Sequence, residues 1–93
     1  MEYGIRFMKE TKMKKYIDPE NERYRYYVRE CLNGYALQVL IVDRDENVPL
    51  TPQVAAQLQI RLPDVYRIQN CTQEASENAL DEVAALNGWT SVV

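Results

Sequence analysis

The chain has 93 residues, 46% of them hydrophobic and 27% charged, with a formal net charge of −3 and no histidine. This is the composition of one folded domain with a modest core, and it excludes a disordered chain. The missing histidine takes away the commonest general base and metal ligand, so neither a Ser/His/Asp nor a Cys/His nucleophile arrangement can be built.

Tyr3-Gly4-Ile5-Arg6-Phe7 alternates apolar with small or polar residues and reads as a short first strand. Residues 8–17 fit either a helix, with Met13, Tyr16 and Ile17 on one side, or a strand and loop. Asp18-Pro19-Glu20-Asn21 is a turn.

The organising stretch runs from residue 23 to residue 43. Asn33-Gly34 suits a two-residue type I′ turn, in which both central residues need φ > 0. The flanks are rich in Tyr, Val, Leu and Ile, which suit a pleated surface. With Asn33 and Gly34 as the loop, Val28 faces Val39, Glu30 faces Leu37 and Tyr26 faces Ile41, all on one face that is the candidate core. The second face pairs Arg29 with Gln38, Tyr27 with Leu40 and Arg25 with Val42, and Ala36 and Cys31 also lie on it.

Beyond a polar loop at 44–49, Thr51 and Pro52 are an N-cap and first-turn pair. They open a helix expected to run to Leu62 and to end at Pro63. Residues 64–70 read as a strand. Thr72 caps a last helix, from about Gln73 to Asn87, whose apolar residues recur at helical spacing. Gly88 is its natural C′ residue, and Trp89 is placed to fold back on Val83 or Leu86. Residues 90–93 form a tail or an added edge strand. The whole reads as a single α+β domain over 1–93: a two-layer antiparallel or mixed sheet built on the 23–43 hairpin, with two or three helices packed on it. Residues 8–17 decide between a ferredoxin-like split βαβ order and a β-meander followed by an αβα unit.

Chemistry-bearing motifs are few. Three glycines cannot make a phosphate-cradling loop. Asp43, Asp45 and Glu46 cluster without the spacing of a calcium loop, and two separated cysteines, Cys31 and Cys71, cannot supply a structural zinc site, so no metal or cofactor is expected. The cysteines are expected to be buried free thiols. With no apolar run of membrane-spanning length and no signal-peptide pattern, the expected location is the cytoplasm.

Charge is uneven. Residues 1–30 carry eight Lys/Arg against six Asp/Glu, and residues 31–93 carry three against eight. Arg25, Tyr27, Arg29, Leu40 and Val42 mark the second hairpin face as a contact surface for a protein partner or a second copy of the chain, since Tyr suits interfaces. The expected function is that of a small non-catalytic interaction domain of the accessory or inhibitor type, a look it shares with small phage and mobile-element proteins. The alternative is a single-stranded nucleic-acid module, in which Arg23, Arg25, Arg29, Lys12, Lys14 and Lys15 meet phosphates and Tyr27 stacks on a base.

Overall fold

The computed structural model describes residues 14–92. The expected strand at 3–7, the helix-or-strand question over residues 8–13, and Lys12 lie outside them. From Lys15 onward that ambiguous stretch is strand: β1 (Lys15–Asp18) pairs antiparallel with β2 (Asn21–Cys31). The Asp18 carboxylate accepts from the Glu20 N–H at 2.9 Å and starts the turn between them.

β2 pairs with β3 (Gly34–Ile41), confirming a hairpin but in a different register. Tyr26 faces Val39, Val28 faces Leu37, Glu30 faces Tyr35, and the closing pair is Cys31 with Gly34. The loop is therefore Leu32-Asn33, not Asn33-Gly34. Neither loop residue has positive φ; Gly34 alone does, at +142°. The displacement from the expected pairing is two residues, so every side chain keeps its face. The observed register puts apolar residues opposite one another, with Leu37 across from Val28 instead of Glu30. It leaves Leu32 95% exposed.

A 3₁₀ turn (Val42–Arg44) and Asp45, in the left-handed region at φ 51°, lead into β4 (Glu46–Pro49). Thr51 caps helix α1 (Pro52–Gln57), its side chain accepting from the Val54 N–H. The helix ends five residues short of Leu62. Gln59 adopts φ 59°, the Gln59 N–H donates to the Ala56 carbonyl, and the Ile60 N–H donates to the Ala55 carbonyl, which is a Schellman closure with Gln in the place of Gly. A tertiary clamp holds the chain beyond it: the Asn87 side chain accepts from the Arg61 N–H and donates to the Arg61 carbonyl, both at 2.8 Å. Tertiary bonds thus override the helical propensity of 58–62.

The expected strand over 64–70 shrinks to β5 (Gln69–Asn70), which pairs with Tyr35 and Ala36 of β3. Helix α2 (Gln73–Asn87) matches expectation, with Thr72 accepting from the Ala75 N–H and Gly88 at φ 72°. β6 (Thr90–Ser91) then adds to the edge of β1. Among the described residues, the sheet of six antiparallel strands runs β4-β3-β2-β1-β6, with β5 also on β3. With one long helix and one short one in the same residues, the fold is α+β. No helix among the described residues is long and apolar enough to cross a membrane.

The core lies on one sheet face. Tyr26, Val28, Leu37 and Val39 pack with Leu50, Ala55, Leu80, Val83, Ala84 and Trp89. Trp89 meets its sequence expectation only in part: it joins the cluster that holds Val83, but its ring stacks on Tyr26, and Leu86 is 44% exposed. The buried Ser76 hydroxyl donates to the Tyr35 carbonyl and accepts from the Asn70 side chain, joining α2 to β3 and β5.

Candidate interaction face

The residues pointing away from this core come mainly from the middle strands. In β2 they are Arg25, Tyr27 and Arg29; in β3, Ala36, Gln38 and Leu40. Register places Arg25 beside Leu40 and Tyr27 beside Gln38, flanked by Lys15 on β1 and Asn47 on β4. Both helices supply their buried residues to the opposite face, and no described helix covers this one.

An open concavity of about 580 Å³ lies here, lined in part by Lys15, Arg25, Tyr27, Leu40, Val42 and Asp45. Four of the five residues expected from sequence line it together. Arg29, the fifth, is exposed one pair further along the same face of β2. Val42 sits in the 3₁₀ turn, not in β3, and is 45% exposed. Ala36, which the sequence places on the same exposed strip, is instead buried at 7%. β5 runs beside it and pairs Gln69 to it, a contact between residues 33 positions apart that no local pattern announces.

Tyr27 gives the floor its shape. Its hydroxyl donates to the Asn47 side chain on β4. To get there from β2 the side chain must pass over β3, the strand between them. Burial pushes the Tyr27 phenol above its ordinary pKa, against the opposing influence of Arg29. Arg25 bends back along its own strand, donating to the Glu22 and Tyr24 carbonyls, with its stem beside Leu40. Lys15, Asn47, Asp45 and the apolar Val92 complete the lining. Asn47 and Asp45 carry no sequence signal for this role; only the β3–β4 pairing reveals it.

The wider basic patch does not assemble. Lys14 lies on the core side, where its ammonium meets Asp81 of α2 at 2.6 Å and Tyr16 donates to the same carboxylate at 2.7 Å. Arg23 pairs with Asp43 at 3.1 Å, outside the concavity, and holds that carboxyl below its usual range. This ion pair is exposed and adds little to stability. Among the described residues no group of three or more potential ligands could hold a metal ion, so Asp43, Asp45 and Glu46 do not converge. Cys31 is half-buried and Cys71 exposed, both free, which corrects the expectation of two buried thiols.

No family model matches the chain, and no curated protein or solved structure resembles it significantly.

Proposed function

We propose that the protein is a small non-catalytic interaction domain that binds a protein partner, or a second copy of itself, through the open face formed by Arg25, Tyr27, Arg29, Leu40 and Val42. One observation carries this reading. An apolar floor of Tyr27, Leu40, Val42 and Val92, rimmed by Lys15, Arg25 and Asp45, is left uncovered by both helices. An apolar patch with a polar rim is the anatomy of a contact surface. Light scattering across a concentration series tests the self-association arm, and affinity capture from the source cell tests the other. Leu40→Glu should abolish whichever is seen and leave the fold intact, since Leu40 faces away from the core. A clean monomer that captures nothing in a Leu40-dependent way would refute the reading.

The second reading is favoured by the Tyr27 ring itself. Reaching across β3 towards Asn47, in a concavity that Lys15 and Arg25 also line, it would serve as a stacking platform for a single-stranded nucleic acid. This reading predicts oligonucleotide binding that weakens steeply with salt. Fluorescence anisotropy at low salt decides it, and the loss of Lys14 and Arg23 to ion pairs reduces the charge available for it.

A further inference from the structure

The sequence contains two Asn-Gly pairs, Asn33-Gly34 and Asn87-Gly88. The same dipeptide sits in opposite surroundings. Asn87 closes α2 with its amide fixed three ways: it accepts from the Arg61 N–H and donates to the Arg61 and Val83 carbonyls, each at 2.8 Å. Asn33 lies at the tip of the β2–β3 hairpin, exposed, beside the almost fully exposed Leu32. Its side chain makes no hydrogen bond to any described residue.

We propose that Asn33 is a spontaneous modification site of the folded protein, converted to aspartyl and isoaspartyl forms, and that Asn87 is protected. The chemistry needs only water. The Gly34 nitrogen loses its proton to solvent base and attacks the Asn33 side-chain carbonyl carbon. An N–C bond forms, and the amide nitrogen leaves as ammonia, giving a five-membered succinimide. Water then opens the ring at either carbonyl. Cleavage of the bond to the side-chain carbonyl gives aspartate. Cleavage of the bond to the main-chain carbonyl gives isoaspartate, with the chain running through the side chain. The attack requires the Asn side chain to swing over the following nitrogen, which has no Cβ beside it in glycine. The free amide of Asn33 can make that swing, whereas the three-way clamp on Asn87 must first open.

The product changes the hairpin. Isoaspartate lengthens a two-residue loop by one methylene and adds a negative charge at the exposed hairpin tip. Gly34 has no room to absorb the change on its far side, where a Cβ would lie 2.2 Å from the Asn70 carbonyl oxygen. The closing Cys31–Gly34 pair is therefore the contact expected to give way.

The test is peptide mapping by mass spectrometry of the full chain, aged at mildly alkaline pH either folded or in urea. Isoaspartate is read separately, by methyl transfer from S-adenosylmethionine with an isoaspartyl carboxyl methyltransferase. In the folded chain, Asn33 should convert at least about tenfold faster than Asn87, and the two rates should converge in urea, where the clamp is gone. Asn33→Gln should remove the early methyl-accepting signal. Equal rates at the two sites in the folded chain, or first conversion at an asparagine not followed by glycine, would overturn the proposal.

Discussion

The ring of Tyr26 lies on the indole of Trp89, with centroids 3.6 Å apart and planes inclined by 3°. Tyr26 comes from the middle of the sheet, and Trp89 follows the helix that covers it. The contact exists because Gly88 turns the chain at φ 72° and the Trp89 N–H donates back to the Ala84 carbonyl. Trp89→Ala should therefore cost about 3–5 kcal/mol, a large part of the roughly 5–14 kcal/mol expected of a chain this size. Urea unfolding checks it. Trp89→Phe should keep most of the stability, and an alanine variant within 1 kcal/mol or so of wild type would show that the stack is incidental.

The two glycines with positive φ should respond differently to alanine. At Gly34 a Cβ would sit 2.2 Å from the Asn70 oxygen, while at Gly88 nothing lies within 4 Å. Gly88→Ala should lose about 1–2 kcal/mol, the left-handed backbone cost alone. Gly34→Ala should lose more, because overpacking adds a further 1–3 kcal/mol or so. Chemical denaturation of both variants gives the order, and a smaller loss at Gly34 would contradict the close approach of Asn70.

Gln59 holds the left-handed closing position of α1 that glycine usually fills. Gln59→Gly should raise stability by about 0.5–1 kcal/mol, since the relief of backbone strain exceeds the added freedom of the unfolded chain. A thermal melt reads this as an increase of a few degrees. A decrease would mean that the Gln59 side chain has a role of its own.

Asp81 accepts from both Tyr16 and Lys14. The hydrogen bond to Asp81, helped by burial, raises the Tyr16 phenol from 10.0 to about 12, and the Lys14 ammonium also moves up. The folded state keeps these protons to higher pH than the unfolded state does. Their stabilisation is thus whole below pH 10 and is lost as pH rises through the interval from 10 to about 12. Asp81→Ala should flatten the part of this alkaline decline that Tyr16 and Lys14 cause. Parallel stability curves for the two proteins at pH 9, 10 and 11, as measured by urea titration, would refute the assignment.

Local signals were legible in the sequence where the chemistry is local. Thr51-Pro52, Thr72 and Gly88 all cap the helices that they were expected to cap. The grouping of Arg25, Tyr27, Leu40 and Val42 survived too: alternation sorts each strand into two faces, and the register moved by two residues, an even step that keeps the faces of β2 and β3 matched. The turn was not legible: Asn33-Gly34 satisfies a type I′ loop, but Gly34 is needed elsewhere, under Asn70. The early end of α1 and the shortness of β5 were likewise hidden. Both depend on partners 26 or more residues away, Asn87 for Arg61 and Tyr35 and Ala36 for β5. Lys14 was misplaced because its partner Asp81 is 67 residues distant.

The face around Leu40 is the centre of the functional account, and site-specific photo-cross-linking tests it most directly. A benzophenone side chain placed at Val42, inside the concavity, should give a discrete adduct with a second copy or with one partner protein in the source cell, and Leu40→Glu should abolish that adduct. The same probe at Val65, 83% exposed and outside the concavity, serves as the control. No adduct from position 42, or an equal and Leu40-independent adduct from both positions, would contradict the assignment of this face.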